Sequence, residues 1–207
     1  MYKNIIFDLG GVMVKFNPRD YLMKMFHDPI TEQKLYDMTF GSKEWQLVDA
    51  GEISRYAADH AMLDRTRMAG FGFEGQEIVD HWPNILRTRR DVVDIAAQLK
   101  AQGFRLYCLS NIALDTAVLL QRRSFWDLFD GAVLSCEVHK MKPDADIYKE
   151  LLNKYQLKPE ESIFIDDNKV NVVAAHKLGI TGIVMTEDTN ELVNNLKVCG
   201  IQVETAE

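Results

Sequence analysis

Asn4-Ile5-Ile6-Phe7-Asp8-Leu9-Gly10-Gly11-Val12 is the stretch on which the reading of this chain turns. An apolar run rich in β-branched and aromatic residues reads as a buried strand. The run ends in the carboxylate of Asp8, at the strand's carboxyl end, where open α/β sheets bind ligands. Gly10 and Gly11 let the backbone turn sharply and offer N–H groups to an anion. Taken alone, the same residues are equally an ordinary strand followed by an Asp-Leu-Gly-Gly turn. The segments that follow separate the two.

From residue 91 onward strands and helices alternate. Residues 91–101 carry Val92, Val93, Ile95, Ala96 and Leu99 at helical spacing and stop at Gly103. A strand over 104–109 closes on Ser110-Asn111, and a helix runs to about residue 121. Strands are predicted at 131–135, 162–167 and 181–185, with helices at 144–155, 170–178 and 190–198. Such alternation implies right-handed crossovers and a parallel sheet. Between the first strand and about residue 90 the pattern differs. Asn17-Pro18 reads as a cap and first turn, and Tyr21, Leu22, Met25, Phe26, Leu35, Met38, Trp45, Leu47 and Val48 recur at helical spacing. A further helix is expected over 54–68. Breaks fall at Asp28-Pro29, Gly41-Ser42, Gly51 and Gly70-Phe71-Gly72, and no strand is evident. The expected fold is therefore α/β: a Rossmann-like parallel sheet formed by residues 1–15 plus 89–207, with a small helical bundle, 16–88, inserted after the first strand.

Length and composition agree with one core and an insertion. The chain has 207 residues, 47% hydrophobic and 27% charged, ordinary proportions for a globular protein. A net charge of −7 argues against non-specific binding to nucleic acid or anionic membrane. No apolar run approaches the roughly 20 residues of a membrane helix. The first strand begins almost at the N-terminus, so no signal peptide is expected. Cys108, Cys136 and Cys199 are odd in number and far apart, without a Cys-x-x-Cys. Reduced thiols in a cytoplasmic protein account for them.

Four segments place polar groups at strand ends or helix starts: Asp8, Ser110-Asn111, Lys142-Pro143 and Asp166-Asp167. Each has a bland explanation. Ser110-Asn111 could cap a helix, and Lys142 could be a solvated turn residue. Asp166-Asp167 could cap the next helix, although adjacent acids at the end of a buried run are costly without a cation. Together, a nucleophilic carboxylate, a hydroxyl, a cation and a paired-acid metal site fit phosphoryl transfer through an aspartyl phosphate.

Phe7-Asp8-Leu9-Gly10-Gly11-Val12, Leu109-Ser110-Asn111, Met141-Lys142-Pro143-Asp144-Ala145-Asp146-Ile147-Tyr148 and Phe164-Ile165-Asp166-Asp167-Asn168 resemble, in order, the four motifs of haloacid dehalogenase-like hydrolases. The bundle then takes the place of that family's small helical cap. The likeness is greatest to the branch holding sugar-1-phosphate phosphatases and the N-terminal phosphatase domain of soluble epoxide hydrolases. The resemblance implies that Asp8 attacks phosphorus, that Ser110 and the Asn111 amide hold phosphate oxygens with the Gly10-Gly11 turn, and that Lys142 neutralises charge. It also implies a Mg²⁺ site of Asp8, the Gly10 carbonyl and Asp167, with Asp166 binding or standing behind them. Magnesium suits an all-oxygen site with waters and a substrate phosphate. Two positions depart from the family: its usual second aspartate is Gly10 here, and a later metal-loop acid is Asn171.

The expected function is a Mg²⁺-dependent phosphatase of a small phosphorylated metabolite, sugar phosphates included, acting as a monomer or homodimer. The alternatives are a catalytically weak relative that binds a phosphorylated ligand or protein partner, motivated by Gly10, and a metal-free dehalogenase, which Asp166-Asp167 argues against. Arg19, Trp45, His81, Trp82 and Arg87 are candidates for contacting substrate, since Arg holds anions and Trp stacks on apolar faces. His139 reads as a loop residue. Hinges are expected at Val14–Pro18 and Arg87–Asp91. Gly10 is expected to favour good leaving groups, unless His81 or Asp20 supplies the missing proton, and to sit at a positive φ.

Overall fold

A computed structural model describes residues 1–205. In chain order the elements are β1 (Asn4–Phe7), β2 (Val14–Lys15), α1 (Pro18–Phe26), α2 (Pro29–Met38), α3 (Lys43–Asp49), α4 (Arg55–Met68), α5 (Gly72–His81) and β3 (Arg87–Thr88). Then come α6 (Arg90–Ala101), β4 (Arg105–Ser110), α7 (Leu114–Gln121), β5 (Gly131–Leu134), α8 (Ser135–Val138), α9 (Ala145–Tyr155), β6 (Ser162–Asp166), α10 (Lys169–Lys177), β7 (Thr181–Val184) and α11 (Thr189–Val198).

Five strands form one parallel sheet in the order β5-β4-β1-β6-β7. β1 lies at its centre, and all four of its residues are buried because helices cover both faces. Even Asn4 is inside, its amide donating to Ser162 Oγ at 3.0 Å. The carboxyl ends of β1, β4 and β6 lie side by side, which brings Asp8, Ser110 and Asp166 to one edge of the sheet.

One apolar cluster runs from a sheet face (Ile5, Phe7, Leu106, Ile163, Ile165) into the bundle (Leu22, Leu35, Trp45, Met62). Ile6, Tyr107, Leu109, Phe164, Tyr148 and Leu151 fill the opposite face. Bundle helices start at side-chain caps: Asn17 Oδ1 accepts from the Asp20 amide at 3.1 Å and Asp28 Oδ2 from Thr31 at 2.8 Å. Ser42 and Ser54 cap α3 and α4 in the same way. Such a cap contributes about 1 kcal/mol.

Four elements escape the sequence. Helix α5 starts at Gly72, within what reads as a break, and has no side-chain cap. Its second glycine, Gly75, packs on α4 so closely that a Cβ there would fall 2.1 Å from Thr66 Oγ1. Strands β2 and β3 are two residues each, too short for periodicity to reveal. They pair antiparallel, Val14 with Thr88 and Lys15 with Arg87, across the two crossings between sheet and bundle. Finally, the third strand of the sheet stops at Leu134, and Ser135 opens the short helix α8. Cys108 and Cys136 are buried thiols and Cys199 is half-buried. Among the described residues no helix is long and apolar enough to cross a membrane.

Candidate active site

Strand pairing sets the site. The Asp8 amide donates to the Ile165 carbonyl at 2.9 Å, so the chain leaves β1 alongside the end of β6 and Asp8 stands next to Asp166. Lys142 reaches them from the loop before α9. Its backbone is clamped by Asn111: the Lys142 amide donates to Asn111 Oδ1 at 2.8 Å, and Asn111 Nδ2 donates to the Lys142 carbonyl at 2.9 Å. Its Nζ donates to the Leu109 carbonyl at 2.9 Å and to Asp166 Oδ2 at 2.7 Å, and lies 2.9 Å from Asp8 Oδ1. The contact with Asp8 is an ion contact rather than an aligned hydrogen bond, because Asp8 Oδ1 is buried and accepts none.

Asp166 is fully buried and fully satisfied. Its Oδ1 accepts from the Asn168 amide at 2.8 Å, and Asn171 Nδ2 donates to both oxygens at 3.2 and 3.1 Å. Tyr148 holds Asn171 in turn by donating to its carbonyl at 2.9 Å. At this position, then, an amide braces Asp166 where a further acid would have repelled it. A buried ion pair persists only with such additional hydrogen bonds.

The site is short of positive charge. Carboxylate oxygens of Asp8, Asp166 and Asp167 lie within 4.8 Å of one another, faced by one ammonium. Burial raises the pKa of Asp8, Lys142 opposes that rise, and Asp166 adds to it. Burial, followed by the charges of Asp8 and Asp166, pushes Asp167 up to about 7. Lys142 is raised as well: burial would lower it, but the two carboxylates outweigh burial and keep it protonated. Gly11 forms the wall opposite Asp167. It has φ +74°, and a Cβ on it would fall 2.1 Å from Asp167 Oδ2. The positive φ therefore belongs to Gly11 and not to Gly10, where a Cβ would meet nothing closer than Phe16 at 3.7 Å. Crowded carboxylates with an unsatisfied buried oxygen, all-oxygen donors and no thiol or imidazole in the cluster fit a hard divalent cation.

Two spaces adjoin these residues. A cavity of about 60 Å³ is lined by Gly10, Ser110 and Asn111 on the sheet side and by Phe16, Trp45, Asp49 and Trp82 on the bundle side. A groove of about 1020 Å³ is bordered by Gly11, Asp167, Lys15, Asp20, Lys24 and Arg87. Of the residues expected to contact substrate, Trp45 and Trp82 line the cavity and Arg87 borders the groove. The other two lie elsewhere. Arg19 bonds Glu32 and Gln33 over the Tyr36 ring, and His81 is exposed with its ring nitrogen on the Glu77 carbonyl.

Three further residues emerge only from the structure. Arg89 is buried and donates to the carbonyls of Gly11, Thr186 and Glu187 and to Asp91 and Thr189, tying the Gly11 turn to the β7–α11 loop. His139 is the left-handed cap of α8, and its Nδ1 lies 3.1 Å from the Ala50 carbonyl, so it joins bundle to sheet rather than idling in a loop. Asp49 ends α3 and faces the cavity. The only signal for it in the sequence is an acid two residues before Gly51, in a segment that reads simply as a helix end.

Comparison with known proteins agrees with this geometry. The family model for haloacid dehalogenase-like hydrolases matches residues 2–179. A sesquiterpene phosphatase of Aspergillus oryzae is 30% identical over 190 residues, spanning 90% of this chain and 91% of that protein. A solved structure described as a predicted HAD-like family hydrolase from Porphyromonas gingivalis superposes with a TM-score of 0.75 at 25% identity, covering 98% of this chain and 100% of its own. A Bacteroides thetaiotaomicron HAD family enzyme, solved with magnesium and inorganic phosphate, has the same fold, with a TM-score of 0.71 at 24% identity, covering 93% of this chain and 99% of its own. This chain belongs to the haloacid dehalogenase-like hydrolases.

Proposed function

We propose that the protein is a Mg²⁺-dependent phosphatase of small phosphorylated metabolites, sugar phosphates among them, working through an aspartyl phosphate on Asp8. The observation that carries this reading is the position of Lys142 Nζ, 2.9 Å from Asp8 and 2.7 Å from Asp166, with Asp167 close by. An attacking carboxylate and a phosphate dianion repel each other, and a fixed cation on the reacting carboxylate offsets that. Asp8 Oδ would attack phosphorus, and water would then release the acyl phosphate. Ser110 and the Asn111 amide would hold the phosphate oxygens, and Lys142 would neutralise Asp8 and the phosphate.

Asp8, Asp167 and the Gly10 carbonyl would hold the magnesium ion, with Asp166 keeping Lys142 in place. Bound there, magnesium supplies charge neutralisation at the phosphate oxygens. A metal-free dehalogenase would have no use for this acidic cluster.

Residues 16–88 would act as a cap over the sheet edge. The 60 Å³ cavity beside Ser110 is far below the roughly 300–1,000 Å³ of small-molecule pockets, so a leaving group seats there only if the bundle moves, while the groove beside Asp167 is already open. Phe16, Trp45 and Trp82 give the leaving group an apolar wall. Rates on a panel of phosphate esters, with Mg²⁺ and after chelation, for the wild type and Asp8→Asn, test the reading. Mg²⁺-dependent turnover lost in Asp8→Asn supports it. Full activity after exhaustive chelation contradicts it.

A further inference from the structure

We propose that Asp49, on the bundle, is the proton donor and acceptor of the reaction, in place of the carboxylate that Gly10 lacks. The inference rests on the phosphatase reading above. It is carried by position: Asp49 lines the same small cavity as Gly10, Ser110 and Asn111. The first of these marks where a family carboxylate is missing, and the other two are the groups proposed to hold phosphate. Of the alternatives raised by the sequence, Asp20 borders the larger groove rather than this cavity and is paired with Lys24 at 2.7 Å, and His81 points away along its own helix.

Asp49 is held where it stands by main-chain bonds from the sheet side. Ser135 Oγ donates to the Asp49 carbonyl at 2.5 Å, and the His139 ring contacts the next carbonyl, Ala50. Gly51, at φ +72°, lies so close to α8 that a Cβ would fall 2.5 Å from the Cys136 carbonyl oxygen. Every one of these contacts joins bundle to sheet, so Asp49 reaches its place only when the bundle is down.

The environment suits the task. Burial pushes Asp49 up to about 7. Arg55 of α4 opposes that shift, while Asp115 of α7 and Asp8 reinforce it. Arg55 bonds Asp115 through Nε at 3.0 Å and stacks on Trp45 and Trp82, so its pull on Asp49 is shared with a second carboxylate, and the Asp49 carboxyl still stands near neutrality, where a proton carrier works best.

The steps balance. Asp8 Oδ forms a bond to phosphorus as the phosphorus–oxygen bond to the leaving group breaks, and the departing oxygen takes the proton of Asp49. Asp49, now a carboxylate, takes a proton from water while the water oxygen attacks phosphorus. The bond from phosphorus to Asp8 breaks, phosphate leaves, and Asp49 is again protonated.

The test is single-turnover kinetics on phosphate monoesters graded by leaving-group pKa, with acid-quenched detection of phospho-Asp8, for wild type, Asp49→Asn and Asp49→Glu. Wild type should show a shallow dependence on leaving-group pKa. Asp49→Asn should lose about 10²–10⁴ in rate on alkyl esters such as glycerol phosphate, and less than about tenfold in phosphorylation by an aryl phosphate. It should then accumulate phospho-Asp8, because water is no longer activated. Asp49→Glu keeps a proton carrier and should recover part of the alkyl-ester rate, even if both variants melt lower than wild type. An equal loss on every ester, or no loss, overturns the assignment. Failure of the phosphatase reading looks different: no phospho-Asp8 in wild type with any ester.

Discussion

Lys142 Nζ sits between Asp8 Oδ1 and Asp166 Oδ2, at 2.9 and 2.7 Å, with its own side chain almost wholly out of solvent. Removing the ammonium would leave two buried carboxylates facing each other. Lys142→Met should therefore abolish turnover and also destabilise the fold by about 3–5 kcal/mol. Lys142→Arg should not rescue activity, since a planar fork cannot occupy the site of one small ammonium bonded to the Leu109 carbonyl. Denaturant unfolding of each variant checks the first claim and ester hydrolysis the second.

The two adjacent glycines should respond in opposite ways. A side chain at Gly10 meets only ordinary contact with Phe16, whereas one at Gly11 collides with Asp167 and is strained at φ +74°. Gly10→Asp has room for its Cβ and should fold, but a fourth carboxylate beside Asp8, Asp166 and Asp167 should lower stability without metal, and Mg²⁺ should restore it. In an Asp49→Asn background it should raise the rate on alkyl esters. Gly11→Ala should cost more than about 1 kcal/mol and weaken Mg²⁺ binding. Chemical denaturation and calorimetric Mg²⁺ titration separate the two.

Arg89 makes five hydrogen bonds from within the protein, one to the Gly11 carbonyl. Arg89→Met strips partners from buried acceptors, each costing about 1–3 kcal/mol if left unpaired. An overall loss of about 2–4 kcal/mol is expected by urea unfolding, together with weaker Mg²⁺ binding, because the Gly11 turn loses its brace. A variant as stable as wild type would remove that role.

Asp59 carries a pH prediction. Burial raises its pKa to about 6, against the pull of Arg55 and with help from Asp115, and its Oδ1 is buried without a partner. A carboxyl whose folded pKa is raised binds its proton more tightly when folded. Its ionisation therefore costs stability progressively as pH rises from the unfolded value near 4 through about 6. Asp59→Asn should thus unfold at higher urea than wild type at pH 8, by about 1 kcal/mol after allowance for partial exposure. That advantage should shrink toward pH 4. A constant difference across pH would show that ionisation is not its source.

The sheet and the polar groups on its edge were legible because buried parallel strands announce themselves as apolar runs, and their last residues are the site. Asp8, Ser110 and Asp166 needed only strand ends to be placed, and Lys142 only the start of the helix that follows it. The bundle was legible as helices through Leu22, Leu35 and Trp45. Its α5 was hidden by Gly72 and Gly75, the first facing Arg67 and the second seated too close on Thr66 for any side chain, both at the expense of helix propensity. β2 and β3 were hidden because a two-residue pairing has no period. Arg19 and His81 were plausible by residue type, but Glu32 of the neighbouring helix and Glu77 of the same helix hold them on the bundle. Asp49 was invisible for the opposite reason. Its significance comes from Ser110, Ser135 and Gly10, residues far away in sequence that only tertiary packing brings to it.

The most direct test of the proposed chemistry is the covalent state of residue 8 during turnover. Protein mixed with Mg²⁺ and a phosphate ester, quenched in acid within one turnover and digested, should yield the peptide containing Asp8 as an acyl phosphate. The adduct should be reducible by borohydride, absent after chelation and absent in Asp8→Asn. Turnover of the ester with no phosphorylated Asp8 at any quench time, including in Asp49→Asn where the intermediate should persist, would contradict nucleophilic attack by Asp8.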